Sequence, residues 1–185
     1  RFFYFLCFLC FTLNIHSQNI DWEINTHRFA DNREYKCSVQ IPQSIMGQRI
    51  APEIGLNWEQ HHHIRIGANV LNEFGSDRLI DQVDYISYYA YKKEPFSFYF
   101  GNFDREKVYH DFPRAFFYDS LNYYRPNVQG LLWKYEKNKN NLSVFLDWTS
   151  RQTDINRETF FMGGSGTYYF HSVFSKFYYY MYHRA

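Results

Sequence analysis

The sequence predicts an all-β fold, an antiparallel transmembrane β-barrel, on the basis of three observations. Aromatic residues make up 23% of the 185 residues, although mean hydropathy is negative at −0.55. Apolar and polar side chains alternate in runs of about ten residues, which is typical of membrane-spanning strands. Short and long connections also alternate along the chain, as in outer-membrane barrels, where tight turns face the periplasm and longer loops lie outside.

The first 17 residues are predicted to be a signal peptide. Their apolar run, from Phe2 to Leu13, is shorter than the roughly 20 residues that span a bilayer and matches the apolar region of a secretory leader. A buried strand or helix is the alternative. Because the sequence opens on Arg1 rather than Met, we expect the leader to be incomplete. The predicted barrel, residues 18–185, then retains only Cys37, so no intramolecular disulfide can form.

Nine strands are predicted after the leader. In the clearest of them, residues 49–58, Ile54 and Trp58 fall on one face, while Glu53 and Asn57 fall on the other. Bacterial single-chain barrels have an even number of strands, and an unpaired strand in lipid leaves backbone groups unsatisfied. We therefore expect the chain to be the N-terminal part of a larger barrel, truncated at its C-terminus. The predicted strands are 22–30, 49–58, 63–71, 83–92, 96–103, 127–136, 142–149, 159–170 and 175–183.

The connections between these strands form two classes that follow each other strictly in turn. If the short connections are periplasmic turns, the first strand starts from the periplasm, as expected of an exported chain. The short connections are 59–62, 93–95, 137–141 and 171–174, and the longer ones are 31–47, 72–82, 104–126 and 150–158.

Aromatic side chains are expected to form girdles where the barrel crosses the two membrane interfaces, because an amphipathic ring is best placed between headgroups and acyl chains. Ordinary cross-strand packing is the alternative. The predicted periplasmic girdle contains Trp58, Tyr91, Phe96, Trp133 and Tyr135, and the outer girdle contains Phe103 and Trp148.

Charged groups on the strands are predicted to face the lumen, since an Arg or Lys on the lipid face costs about 2–4 kcal/mol at the bilayer midplane. In an open channel such groups would set solute preference, whereas in a filled barrel they would pair with one another. Strand parity assigns Glu53, Asn57, Arg65, Asn69, Lys134 and Asp147 to the lumen.

The loop 104–126 is the longest connection and mixes charges with many aromatic rings. A loop of this kind can fold inward to constrict a channel, cap it, or bind a partner outside. The sequence leaves these three roles open. If the loop constricts the channel, the residues expected to do so are Arg105, Lys107, Arg114 and Asp119.

No catalytic, metal or cofactor site is predicted. His61, His62 and His63 are consecutive, and neighbouring side chains of an extended chain point to opposite faces, so the three rings cannot converge on a metal. Ser165 lies in a Gly-Gly-Ser-Gly sequence, but a nucleophile elbow needs a following helix, and none is predicted. An outer-membrane hydrolase with a serine and a histidine on adjacent strands stays open as an alternative, although His171, the nearest histidine, falls at the opposite end of the strand or in the turn. A net charge of +1 excludes a strongly basic nucleic-acid surface.

Three segments resemble porin-type outer-membrane proteins, in particular uncharacterised ones of Bacteroidota. They are RIAPEIGLNWEQHHHIRIGANV, FSFYFGNFDR and NVQGLLWKYEKNKNNLSVFLDWTSRQ. The resemblance covers roughly residues 18–185 and implies a barrel in the outer membrane.

These observations together predict a porin-like channel for passive passage of small solutes across the outer membrane, without enzymatic activity. The expected partners are outer-membrane lipid and small solutes, with no nucleic acid, and the pattern does not define an oligomeric state. Two alternatives stay open. One is a non-conducting outer-membrane barrel for binding or anchoring, and the other is a secreted, soluble β-sandwich that binds glycans.

Overall fold

The computed structural model describes residues 18–36, 39, 41–117 and 119–185 of the chain, and the predicted leader and Cys37 lie outside these residues. The described residues form one antiparallel sheet of nine strands, in which spatial order follows chain order. The strands are β1 (Asn19–Arg33), β2 (Gln43–Trp58), β3 (His62–Glu73), β4 (Gln82–Lys93), β5 (Phe96–Asp104), β6 (Asn127–Lys137), β7 (Asn140–Ser150), β8 (Thr159–Phe170) and β9 (Val173–Arg184).

All nine predicted strands are present, and the all-β antiparallel fold is confirmed. Most strands are longer than predicted. The largest difference is at β2, which begins at Gln43 rather than at residue 49 and pairs there with Arg33 of β1. Polar side chains occupy both faces of this extension, so apolar–polar alternation is absent there. Backbone pairing with β1 nevertheless continues through it.

The alternation of short and long connections is also confirmed. The turns 59–61, 94–95, 138–139 and 171–172 contain two or three residues, whereas the connections 34–42, 74–81, 105–126 and 151–158 contain eight or more. Three of the short turns use residues in the left-handed backbone region, which tightens the reversal. These residues are Glu59, Gln60, Asn138 and His171.

The connection between β5 and β6, residues 105–126, is called here the inward segment. It contains helix α1 (Glu106–Tyr109), a 3-10 turn (Arg114–Phe116) and helix α2 (Asp119–Tyr124). The face of the sheet that it contacts is called the inner face, and the opposite one the outer face. Phe112 and Phe117 of the segment pack with Leu132 and Phe145 from β6 and β7, so the main apolar core lies between the segment and the sheet.

The inward segment contacts both ends of the sheet. The ring of Phe116 stacks on Tyr180 of β9 with centroids 4.8 Å apart, and the ring of Tyr123 stacks on Phe29 of β1 at 4.1 Å. A flat sheet would hold β1 and β9 about 38 Å apart. Residues 116 to 123 include α2 and therefore span well under 25 Å. The sheet must curl around the inward segment.

The curled sheet is not closed among the described residues, because β1 pairs only with β2 and β9 only with β8. Within this same part of the chain, none of the helices has the length and apolar character needed to cross a membrane.

The two faces of the sheet differ in chemistry, as alternation along each strand requires. The outer face exposes large apolar side chains such as Ile20, Trp22, Ile54 and Ile66. The inner face carries nearly all of the charged strand residues, and three of them, Arg49, Glu53 and Asp147, are buried.

One predicted girdle residue is wrongly placed. Phe103 is 0% exposed and packs on the inner face against Tyr88 and Tyr99. Parity explains the error, because Phe96, at an even position, faces outward, so the odd-numbered Phe103 must face inward. The other predicted girdle residues, Trp58, Tyr91, Phe96, Trp133, Tyr135 and Trp148, lie on the outer face.

Gly101 is expected to be irreplaceable in β5. Its φ is +124°, and a Cβ added there would clash with the carbonyl oxygen of Ser87. Gly75 also has positive φ but has open space around it. We expect Gly75→Ala to lower the free energy of unfolding by about 1–3 kcal/mol, the usual cost of such backbone strain. Gly101→Ala should cost clearly more. Urea unfolding in detergent micelles measures both, and equal losses would contradict the close approach.

Candidate functional site

The six residues predicted to face the lumen all lie on the inner face. Asp147 forms an ion pair with Arg105 of the inward segment, with 2.7 Å between Oδ2 and Nη1, and each side chain is 1% exposed. Lys134 pairs with Asp111 of the segment at 2.6 Å. Arg65 pairs with Asp21 of β1 at 2.7 Å. These three residues therefore pair with other charged groups of the protein.

The remaining inner-face residues are bound to neighbours or buried. Asn57 lies 2.6 Å from the ring Nδ1 of His63, and Asn69 accepts a hydrogen bond from Arg49 at 3.1 Å. Glu53 is buried, and one of its carboxylate oxygens lacks a hydrogen-bond partner. A buried oxygen without a partner is costly in an apolar interior. The position of Glu53 therefore indicates that this part of the inner face is polar.

The predicted constriction loop lies on the inner face as the inward segment. Arg105 is buried there, and the Lys107 ammonium lies 5.6 Å from the ring centroid of Tyr88. The side chains of Arg114 and Asp119 lie outside the described part of the structure. The two described cations therefore contact protein groups on the inner face.

Hydrogen bonds fasten both ends of the inward segment to the sheet. At its start, Arg105 donates from Nε to the carbonyl oxygen of Arg125 at 2.9 Å and from Nη2 to that of Asn127 at 2.7 Å. Near its end, the Tyr124 hydroxyl donates to the Glu73 carboxylate at 2.6 Å. Burial and the neighbouring carboxylate raise the pKa of Tyr124 to about 12, so the phenol keeps its proton and remains a donor into alkaline solution.

Two small adjoining cavities, together called the inner cavity, lie between β1–β3 and the inward segment. Their volumes are about 60 and 70 Å³, and both are lined by His27, Arg49, Asn69, Asp104 and Glu106. His27 Nε2 and Arg49 Nη2 are buried without a hydrogen-bond partner. The space suits water or another small polar molecule, and it is too small for an acylated sugar.

Arg49 organises the inner cavity. Its guanidinium is 2% exposed and donates to the carbonyl oxygen of Tyr123 at 2.5 Å and to Asp84 at 3.0 Å. Arg49 therefore joins β2, β4 and the inward segment. It provides the fixed positive charge among the acidic side chains of the cavity.

The histidine tract does not converge on a metal. The ring of His62 stacks on Trp58 of the outer face at 5.1 Å, whereas His63 contacts Asn57 on the inner face. In the described residues no group of three or more His, Cys, Asp or Glu side chains could hold a metal ion.

Ser165 lies within strand β8, paired with Ser143 of β7, and is buried. It does not occupy the turn that a nucleophile elbow needs. Among residues 18–36, 41–117 and 119–185, no hydrogen bond joins a serine or threonine hydroxyl to a histidine ring.

Comparison with known families decides the class of the protein. The model of the lipid A 3'-O-deacylase-type family matches residues 13–185. The chain belongs to this family. It is therefore an all-β protein of outer-membrane type from a lipid A deacylase family. No curated protein matches the chain.

Membership in the lipid A deacylase family corrects one prediction made from the sequence. Enzymatic activity was not expected, and this expectation is wrong, because the family is named for an enzyme. The porin-type resemblance agrees with the fold but not with this family name. The residue patterns that suggested it describe alternating strands, which any outer-membrane barrel shares.

Sequence reasoning also missed several residues of this lipid A deacylase-type protein. Arg49 has the parity of Glu53 and Asn57, so extending that alternation would have placed it on the inner face. Asn102 follows the outward-facing Phe96, Phe98 and Phe100 at the next outward position. A polar residue in an apolar series is the signal that could have revealed it.

Proposed function

We propose that this protein hydrolyses an ester-linked acyl chain of lipid A in the outer membrane of a Gram-negative cell. The observation that carries the proposal is the family match over residues 13–185. In the reaction, water adds to the ester carbonyl, and the bond from that carbon to the sugar oxygen breaks. A fatty acid and a free sugar hydroxyl result. No electron transfer is involved, so the reaction needs no redox cofactor.

The outer face supports a position within the lipid bilayer. It exposes a broad apolar surface that includes Ile54, Ile66 and Phe100, which would be unfavourable in water but is suited to acyl chains. Strands of nine to sixteen residues are long enough to cross the hydrocarbon core at the usual tilt. A protein placed in this way meets lipid A directly, since lipid A is itself a lipid of that membrane.

The inner face favours chemistry on lipid over passage of solutes. The inward segment and its ion pairs, Arg105–Asp147 and Asp111–Lys134, cover part of the inner face, which would border water in an open channel. A passive channel, the function predicted from sequence alone, is for this reason the weaker candidate. A substrate that reaches the protein sideways through the membrane does not need an open lumen.

The proposal is tested by expressing the full-length protein in a Gram-negative host and measuring lipid A by mass spectrometry. We expect a new lipid A species that lacks one ester-linked acyl chain, together with release of the matching fatty acid. The control is the same host with an empty vector. Unchanged lipid A in cells whose outer membrane contains the folded, heat-modifiable protein would overturn the proposal.

A further inference from the structure

The sheet has a local break between β4 and β5 at the end opposite their short turn. The two strands pair only from Ser87–Asn102 to Lys93–Phe96. Residues 82–86 of β4 continue along β3 but have no partner in β5, because β5 pairs with β6 alone beyond Asn102 and ends at Asp104. The wall formed by these strands is therefore open over about half the length of β4.

Two asparagine side chains replace part of the backbone hydrogen bonding that is missing between β4 and β5. Asn102 and Asn127 each donate an amide N–H to the carbonyl oxygen of Tyr85, at 2.7 and 3.0 Å. The two side chains are 3% and 7% exposed, and in both of them the amide oxygen is buried without a hydrogen-bond partner. Buried acceptors without partners are costly. The break thus contains two buried amide oxygens whose capacity to accept hydrogen bonds is unused.

A cavity of about 240 Å³ lies at this break and is called here the lateral notch. Its lining includes Tyr85, Asn102, Arg125, Asn127 and Gln129. It is larger than either part of the inner cavity and has room for a ligand rather than a single water molecule.

The lateral notch interrupts an otherwise apolar part of the outer face. Below it, β5 presents Phe96, Phe98 and Phe100 outward. Beside it, Val83 and Tyr85 of β4 are 58% and 62% exposed on the outer face. A polar opening flanked by apolar side chains on a lipid-facing wall is accessible to a molecule held in the membrane next to it.

We propose that the lateral notch binds the sugar headgroup of an outer-leaflet glycolipid, which for this family is lipid A; this identification of the ligand rests on the proposed function. The hydroxyl and amide N–H groups of an acylated amino sugar supply the donors that the Asn102 and Asn127 oxygens lack. The Arg125 guanidinium suits a phosphate on that sugar. The exposed Tyr85 ring offers a surface for the sugar face, while the acyl chains stay in the bilayer.

The test measures how much lipid A the purified full-length protein retains from phosphatidylcholine vesicles that contain it. Asn102→Leu combined with Asn127→Leu removes both acceptors, and we expect at least ten-fold weaker binding. Because these buried changes can impair folding, Gln129→Leu at the exposed part of the notch is a second variant, expected to weaken binding several-fold. Asn141→Leu, an exposed change near a short turn, is the matched control and should bind like the unmodified protein.

The outcomes separate the notch from the proposed reaction. If the unmodified protein deacylates lipid A and the folded notch variants bind as much lipid A as it does, the notch proposal is overturned and the proposed reaction stands. If the unmodified protein binds lipid A and the variants do not, the notch proposal is supported whether or not deacylation is seen. Displacement of lipid A by free N-acetylglucosamine would assign the notch to soluble sugars and overturn the lipid proposal.

Discussion

Replacing Arg105 with methionine is expected to lower the free energy of unfolding by about 3–5 kcal/mol, because it leaves the Asp147 carboxylate buried without its counter-charge. Both side chains are 1% exposed, and their charged atoms are 2.7 Å apart. The substitution also removes two hydrogen bonds that hold the ends of the inward segment together. Urea unfolding of the protein in lipid vesicles, followed by tryptophan fluorescence, measures the loss.

A double variant separates the charge from the hydrogen bonds. Arg105→Met with Asp147→Leu removes both charges, so we expect it to be more stable than the single variant by about half of the loss. The part of the stability loss that the double variant does not recover is then due to the hydrogen bonds that Arg105 donates to backbone carbonyls. Arg157→Met, in the exposed connection between β7 and β8, is the matched control and should change stability by less than about 0.5 kcal/mol. A loss below 1 kcal/mol for Arg105→Met would show that Asp147 is not enclosed as the structure indicates.

The strands could be predicted from the sequence because the cause of each lies within ten neighbouring residues. In β2, the alternation of Ile50, Ile54 and Trp58 with Glu53 and Asn57 reports directly which face meets an apolar environment. The same local signal assigned Glu53, Arg65, Lys134 and Asp147 to the face that the inward segment contacts. It failed at Phe103, where closeness to a loop was given more weight than parity.

The direction of the inward segment could not be predicted in the same way. Its contacts are with Phe29 near the start of the chain and Tyr180 near its end. Nothing in the local composition of residues 105–126 distinguishes a loop that folds inward from one that folds outward, because rings and charges suit both. Only the curled sheet, in which β1 and β9 approach the same segment, decides between them.

The candidate site was the least predictable part. The lateral notch depends on where two neighbouring strands stop pairing, which is a property of register and not of residue type. Its acceptors, Asn102 and Asn127, lie 25 positions apart in the sequence and converge on a single carbonyl oxygen, that of Tyr85. Enzymatic activity was missed for a related reason. A search for local motifs finds catalytic residues that are close in sequence, whereas groups brought together by strand pairing leave no such motif.

Removing most of the inward segment is expected to turn a protein that does not conduct ions into an open channel. The N–H of Arg105 donates to the carbonyl oxygen of Pro126 at 2.7 Å, so the ends of the segment are already as close as those of a tight hairpin. Residues 107–124 can therefore be exchanged for a linker of about four Gly and Ser residues without stretching the strands. The exchange removes Phe112 and Phe117 from the inner face. In planar bilayers we expect no discrete conductance from the unmodified protein and discrete openings from the variant.

Two further variants make this result specific. Exchanging residues 152–157, a largely exposed connection between β7 and β8, for a similar linker should produce no discrete conductance. Phe112→Ala combined with Phe117→Ala keeps the backbone of the segment and should give smaller or rarer openings than the full exchange. Heat-dependent gel mobility confirms for each variant that the strands are folded. Equal conductance from the unmodified protein and the exchange variant would mean that the segment does not fill the inner face, and the passive channel would then become the better-supported function.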